Sequence, residues 1–453
     1  MKLSVVILAA GRGKRMRSAL PKVLQPLGGE PMLRHVIRGV QPLSPDQTVV
    51  VIGHGGEAVR DAFADDGLIW AEQREQLGTG HAVMQALPDI PDDHVVLVLY
   101  GDVPLVTAET QEQLAEAATD AVAVLSAEVA DPAGYGRIVR DPEGGVRGIV
   151  EHKDAGPEEL AIREINTGLL AAPAKRMKDW LSRTDSNNAQ GEYYLTDIIA
   201  MAAGEGYPVR GILAGDAAET QGINNRLQLA EAEAILRRRR AHALLADGVT
   251  LADPARIDIR GDLNCGRDVF IDVNAVFEGR VTLGDEVRIG PGCVIRDSEI
   301  GPGAVIEAHS VVEGARIGAR GRVGPFARLR QGTRLAEATR IGNFVETKNI
   351  AMGEGSKANH LSYLGDAHIG RDVNIGAGTI TCNYDGANKH QTVIGDRVFI
   401  GSDSQLVAPV SIGDGATIGA GSTISKEAPA GELTLSRAKQ KTLEGWKRPT
   451  KTK

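Results

Sequence analysis

Through residues 1–225, short apolar runs alternate with segments of mixed polarity. Leu3–Leu8, Thr48–Ile52, Val95–Tyr100 and Ala121–Ser126 are apolar over the length of a strand. Between them, His81–Leu87 and Ala108–Ala118 have helical composition. Strands alternating with helices predict βαβ units and a mostly parallel sheet. Arg226–Ala246 then reads as one long helix, rich in Ala, Leu and Glu and free of Gly and Pro. Its consecutive arginines, Arg237–Arg240, point in different directions around a helix. They predict a solvated or subunit-facing linker rather than a nucleic-acid patch.

From about Ile257 the pattern changes. Aliphatic residues recur every six positions, at Ile317, Val323, Leu329, Leu335 and Ile341, and again at Ile394, Ile400, Leu406, Ile412, Ile418 and Ile424. Glycine often follows, as at Gly318, Gly324, Gly342, Gly395, Gly401, Gly413 and Gly419. A six-residue period fits neither an α-helix nor a simple alternating strand. It is the hexapeptide signature of a parallel β-helix, in which three repeats close one triangular coil. The aliphatic residue is expected to point inward, and the small residue after it to let the chain turn. Two stretches break the period, roughly 347–368 and 381–392, and these are expected to project as loops.

Composition narrows the function classes. A chain of 453 residues exceeds one ordinary core, so two or three domains are expected. Its 55 glycines against 4% aromatics suit many tight turns and cores of small aliphatic side chains. A net charge of −8 gives no reason to expect nucleic-acid binding. No apolar run is long enough to span a bilayer. Met1–Ala10 is too brief for a signal peptide, and Arg12, Lys14 and Arg15 follow where a cleavage region would be small and uncharged. Cys265, Cys293 and Cys382 are far apart and lack metal-ligand spacing. They are expected to be reduced, buried thiols of a cytoplasmic protein.

Candidate chemistry begins at Leu8-Ala9-Ala10-Gly11-Arg12-Gly13-Lys14-Arg15-Met16, after the first strand. A Gly-rich loop there can present backbone N–H groups to phosphates. Met16 stands where a dinucleotide fingerprint needs its third glycine, and no Gly-Lys-Ser/Thr closes a Walker loop. Three cations behind two glycines suit a triphosphate. Asp102, in Tyr100-Gly101-Asp102, sits at the carboxyl end of an apolar strand, where open α/β sheets bind ligands. A hard carboxylate there is a natural Mg²⁺ ligand, and a turn or cap aspartate is the alternative.

The half as a whole resembles the sugar-1-phosphate nucleotidyltransferases. The residues that carry the likeness are Leu8–Met16 with Pro21-Lys22, Gln73 with Leu77-Gly78-Thr79-Gly80, Tyr100-Gly101-Asp102, Glu151-His152-Lys153, Asn166-Thr167-Gly168 and Gly222-Ile223-Asn224-Asn225. Gly191-Glu192-Tyr193-Tyr194-Leu195-Thr196-Asp197 is similar to one branch in particular, the bifunctional N-acetylglucosamine-1-phosphate uridyltransferase/glucosamine-1-phosphate acetyltransferases, and the likeness covers nearly the whole chain. It implies a Rossmann-like α/β nucleotidyltransferase domain over 1–225, a linker helix over 226–247, and a left-handed β-helix acetyltransferase domain with a basic tail over 248–453. By the same resemblance, Leu8, Ala9, Ala10, Gly11 and Gln73 hold uracil and ribose, with Gly78 and Thr79 completing the base pocket beside Tyr100 and Gly101. Asp102 and Asn224 would ligate Mg²⁺, Gly136, Glu151 and Asn166 would hold the sugar, and Arg15 and Lys22 would grip the UTP triphosphate. Lys14 departs from the family loop, which usually carries Thr, and adds a cation near the phosphates.

In the second half, acetylating an amine requires a base, because an ammonium ion cannot attack a thioester. Histidine titrates in the right range. His360 lies in a stretch that breaks the repeat among polar residues, which makes it a candidate. The acetyltransferase resemblance implies that His360 is the general base, with Glu346 orienting it. Arg330, Lys348, Tyr363 and Asn374 would bind the acetyl acceptor, and Asn383, with Tyr384 beside it, would contact the reacting amine and acetyl-CoA. Ala377, Ser402, Ala420 and Arg437 would face acetyl-CoA. From Gly431 the tail carries seven Lys/Arg against two Asp/Glu, which suits a CoA phosphate better than a nucleic acid, with a solvated basic tail as the alternative for all but Arg437. β-Helices of this family pack as trimers with acyl sites between chains, so a homotrimer acting on small molecules is expected. The competing readings are a nucleotidyltransferase with a structural or regulatory β-helix, and a scaffold without catalysis.

Overall fold

The computed structural model describes residues 1–11, 13–53 and 55–451. Two compact units divide the chain between Leu236 and Arg237, inside the helix Arg226–Ala246.

The first unit is built on a sheet in which Leu3–Leu8 lies between Val95–Tyr100 and Gln47–Ile52, parallel to both. Across the sheet the strands run Val209–Leu213, Val122–Glu128, Glu164–Pro173, Val95–Tyr100, Leu3–Leu8, Gln47–Ile52 and Ile69–Glu72. Along this path pairings are parallel except on either side of Glu164–Pro173, which runs antiparallel to both neighbours; off the path, the hairpin Arg137–Arg140/Val146–Val150 is antiparallel too. The apolar runs are continuous because both faces are covered. Val5, Ile7, Leu97 and Leu99 enter one core, while Val6, Leu8, Val96 and Val98 enter the other. The long helix contributes its first half to this unit: Leu229 and Ala232 pack with Met16, Leu27, Met32, Leu105 and Ile223.

The second unit is a left-handed parallel β-helix. Every hexad position predicted to point inward does so, from Ile317 and Val323 to Ile418 and Ile424, all buried in one core. Along one wall, Arg322 pairs with Arg340, Arg340 with Lys357 and Lys357 with Asn374, steps of 18, 17 and 17 residues. Ala241 and Leu244, from the second half of the long helix, belong to this core, and Arg240 donates to the carbonyl of Ile259.

Three expectations are corrected. The stretch 347–368 does not project. It forms wall strands Glu346–Met352, Lys357–His360 and Tyr363–Ile369 at the normal coil step. Its period is hidden because small or hydroxylic residues occupy inward positions. Thr347, Ala358 and Ser356 are buried there, with Thr347 bonded to Thr333 at 2.9 Å and Ser356 to the Gly370 carbonyl at 2.7 Å. Only the second interruption lengthens a coil: Asn374 pairs with Phe399, a step of 25 residues, and the excess forms the loop around Tyr384–Lys389.

Except for Gly324 (φ 103°), the glycines singled out after the inward residues serve close approach rather than turning. A Cβ at Gly342 would lie 2.0 Å from the Asn359 carbonyl oxygen of the next coil. Turning falls to residues in left-handed conformation, among them Phe344 (φ 57°) and Leu361 (φ 50°). The cysteines are free, but only Cys293 is buried, with Cys265 and Cys382 partly exposed. Burial pushes the thiols of Cys265 and Cys293 up to about 11.

Candidate active sites

In the first unit the carboxyl ends of the parallel strands open into a cleft of about 250 Å³, lined by Leu8, Ala9, Ala10, Gly11, Lys22, Gln73, Gly78, Thr79, Tyr100 and Asp102, with Gln76 and Glu192. Backbone bonds fix its floor: Ala9 N–H donates to the Val51 carbonyl at 2.8 Å and Gly101 N–H to that of Leu8 at 2.9 Å. Gln73 donates to the Gly78 carbonyl at 3.0 Å. Gly78 (φ 110°) must be glycine, since a Cβ would meet the Tyr193 carbonyl oxygen at 2.5 Å.

One cation organises the cleft. The Lys22 ammonium donates to the Asp102 carboxylate and, at 2.8 Å, to Asn224 Oδ1, which also accepts from the Arg15 guanidinium at 2.8 Å. A carboxylate and a carboxamide oxygen thus converge on one positive centre. Arg12, part of the same loop, lies outside the described residues.

The residues expected around the sugar also come together. Asn166 N–H donates to the Gly136 carbonyl at 2.9 Å, and Thr196 donates to Glu151 Oε1 at 3.3 Å. Burial raises the Glu151 carboxyl above its usual range. Burial, and then the charges of Asp102 and Glu151, drive the Tyr100 phenol well above its own.

In the second unit the expected residues fall into two groups. Arg330, Glu346, Lys348, Tyr363 and Asn383 share one wall. Glu346 pairs in register with Tyr363 and accepts from Arg330 at 2.9 Å. Asn383 donates to Asp366 at 2.5 Å, and Asp366 also accepts from Asn349 at 2.7 Å. Partial burial works against the Asp366 anion, but these bonds hold its carboxyl below the usual range. A Cβ at Gly365 would lie 2.4 Å from the Tyr363 hydroxyl and 2.9 Å from Asn383 Nδ2, so this glycine makes room for both.

His360 ends a strand of the adjacent wall, across the corner formed by Leu361. The expected contact with Glu346 is not made within the chain: His360 Nδ1 is 2.8 Å from Asn343 Oδ1, while Glu346 is engaged by Arg330.

His360 also heads a column. Two positions after the inward residues Ala358, Ile375, Ile400 and Ile418 stand His360, Ala377, Ser402 and Ala420 on successive coils. Ala377 accepts from Asp403 N–H at 2.7 Å, Ser402 from Gly421 N–H at 2.8 Å, and Ala420 from the Arg437 guanidinium at 2.9 Å. Asn374 lies on this wall, in register with Lys357 and Phe399.

Comparison with known proteins relates both units to one family. The bifunctional protein GlmU of Cupriavidus pinatubonensis is 60% identical over 450 residues, covering 99% of each chain. That of Ralstonia nicotianae is 59% identical over 452 residues, covering 100% of this chain and 99% of the relative. The chain belongs to the bifunctional GlmU family. Consistent with that membership, residues 5–153 match the MobA-like NTP transferase domain, residues 259–352 the GMPPB C-terminal domain, and residues 391–426 the bacterial transferase hexapeptide (six repeats).

Several residues that the structure brings beside the candidate site residues were not singled out from the sequence. Asn343 is inconspicuous inside a regular hexad. Lys389 comes from the projecting loop to stand beside Lys348, and chiefly that neighbour lowers the Lys348 ammonium below its usual range. Gln76, which donates to the Ala10 carbonyl at 2.5 Å, lies three residues beyond Gln73 and was open to inspection.

Proposed function

We infer that this chain makes UDP-N-acetylglucosamine by two group transfers. The second unit moves acetyl from acetyl-CoA to the amine of glucosamine-1-phosphate. The first moves uridylyl from UTP to the resulting N-acetylglucosamine-1-phosphate and releases pyrophosphate. The product supplies peptidoglycan and lipopolysaccharide precursors. The observation that carries this reading is that one chain, related over its full length to bifunctional GlmU proteins, holds both the cationic cleft around Lys22 and the column headed by His360.

In the first site, Leu8–Gly11, Gln73, Gly78 and Thr79 bind the nucleoside, and Gly136, Glu151 and Asn166 the sugar. Arg15 and Lys22 offset the triphosphate charge. The sugar phosphate oxygen attacks the α-phosphorus in line, its P–O bond forms, and the bond to pyrophosphate breaks. That nucleophile is already an anion, so positioning and electrostatics carry the rate without a protein base. The oxygens of Asp102 and Asn224, which already face one cation, suit a hard divalent ion such as Mg²⁺. When bound there it would neutralise phosphate charge.

In the second site, Arg330, Lys348, Tyr363 and Asn374 bind the acceptor phosphate and sugar, and Ala377, Asn383, Tyr384, Ser402, Ala420 and Arg437 bind acetyl-CoA. His360 takes a proton from the amine as its nitrogen bonds to the acetyl carbon. The carbon–sulfur bond breaks, and the proton leaves with the CoA thiol. Glu346 acts on His360 only if it comes from another copy, because within the chain it serves Arg330. The active form is a cytoplasmic homotrimer. A convex corner at Leu361 separates His360 from the acceptor wall, and Phe326, Phe344 and Leu361 expose 49%, 57% and 62% of their surface along that corner. Neighbouring subunits would cover it and complete each site.

The test is CoA thiol release by purified protein with acetyl-CoA, with and without glucosamine-1-phosphate, in the absence of UTP. Release that depends on the amino sugar is expected. No release from folded trimer would reduce the β-helix to a structural or regulatory module.

A further inference from the structure

We propose that Asn343 is the positioning residue that fixes the ring of His360 for proton removal; this rests on the reading of His360 as the base. The two residues are register partners on adjacent coils, and the His360 Nδ1–H donates to the Asn343 carboxamide oxygen at 2.8 Å. With Nδ1 carrying the hydrogen, Nε2 holds the free lone pair. The base is thereby assigned to one nitrogen.

Placement supports the assignment. Asn343 occupies the rung of the column immediately before His360, whereas Ala377, Ser402 and Ala420 occupy the rungs after it. The carboxamide therefore holds the ring from the side opposite the acetyl-CoA column. Its own backbone is tightly set. Gly342, just before it, admits the next coil so closely that a Cβ would lie 2.0 Å from the Asn359 carbonyl oxygen. Phe344, just after it, turns the corner at φ 57°, as Leu361 does after His360 at φ 50°. The partner is also neutral. The nearby loop contains the charged alternative, His390 Nε2 at 2.6 Å from the Asp385 carboxylate. A carboxamide orients a ring without favouring its protonated form, which suits a group that must begin its work with a vacant lone pair.

The test uses the full chain with three variants, Asn343→Ala, Asn343→Asp and His360→Ala, and follows acetyl transfer against pH. Uridylyl transfer by the same preparations serves as a control for intact protein. Asn343→Ala is expected to lower kcat for acetyl transfer by about 10–100-fold, the scale of a misplaced catalytic group, while KM for glucosamine-1-phosphate and acetyl-CoA stays within about twofold. Asn343→Asp keeps the shape but places a carboxylate on Nδ1–H. It is expected to move the acidic limb of kcat/KM to higher pH by about one unit or more. This isosteric variant carries the test if Asn343→Ala does not fold. Wild-type rate and pH profile in both Asn343 variants, with His360→Ala inactive, would overturn the proposal. Wild-type acetyl transfer by His360→Ala would instead overturn the reading of the base on which it rests.

Discussion

The two candidate sites are assembled by opposite means. In the first unit Lys22, Asp102 and Asn224 are remote in sequence and meet because two loops, one carrying Lys22 and one carrying Asn224, close over the carboxyl end of Val95–Tyr100, with Ile223 N–H donating to the Asp102 carbonyl at 2.9 Å. In the second, Asn343, His360, Ala377, Ser402 and Ala420 lie at successive coil steps and stack because the fold repeats. The first arrangement is a concave cleft within one chain. The second is an outer surface divided by a corner. A globular α/β site thus concentrates charge from afar, whereas a solenoid spaces its groups along a line.

The contrast can be tested by removing what is particular to each. Lys22→Ala takes away the cation on which Asp102 and Asn224 converge. We expect kcat/KM for uridylyl transfer to fall by about 10²–10³-fold, as for loss of one preorganised charge-stabilising donor, with acetyl transfer retained in parallel assays. Next in size, Leu329→Ala opens the β-helix core at a fully buried position and should destabilise that unit by about 2–5 kcal/mol. Calorimetry should show its transition lowered while that of the first unit stays in place.

A smaller effect is expected at the loop. Lys389→Ala should raise KM for glucosamine-1-phosphate by about tenfold, on the scale of one charge-assisted hydrogen bond. Because Lys389 depresses the Lys348 ammonium, its removal should also shift the basic limb of acetyl transfer upward. The smallest effect concerns Asp197, whose carboxyl is raised from 3.8 to about 6 by burial and then by Asp185, Glu151 and Asp154. The folded state binds this proton more tightly, so the contribution of Asp197 to stability falls as pH rises from 3.8 to about 6. Asp197→Asn should raise the unfolding temperature by at most a few degrees above pH 6. The difference should vanish below pH 3.8.

Legibility differed for physical reasons. Leu3–Leu8 and Val95–Tyr100 were plain because strands covered on both faces are apolar throughout. Glu164–Pro173 was not, since it enters the sheet antiparallel after the hairpin Arg137–Arg140/Val146–Val150 rather than through a helical crossover. The hexads showed wherever Ile, Val or Leu pointed inward and disappeared where Thr347, Ala358 and Thr381 did so. His360 could be singled out by its chemistry. Its contact with Asn343 depends on stacking between coils, and the pairing of Glu346 with Arg330 depends on which wall each shares. Neither is encoded in local spacing.

The central claim is that one chain carries two separate transferase sites. The most direct measurement is a crossed assay of Asp102→Ala and His360→Ala in the full chain, following UTP-dependent pyrophosphate release and glucosamine-1-phosphate-dependent thiol release. The account predicts that Asp102→Ala loses the first activity and keeps the second, and that His360→Ala does the reverse. Loss of both activities from either variant, in protein that remains folded and assembled, would contradict it.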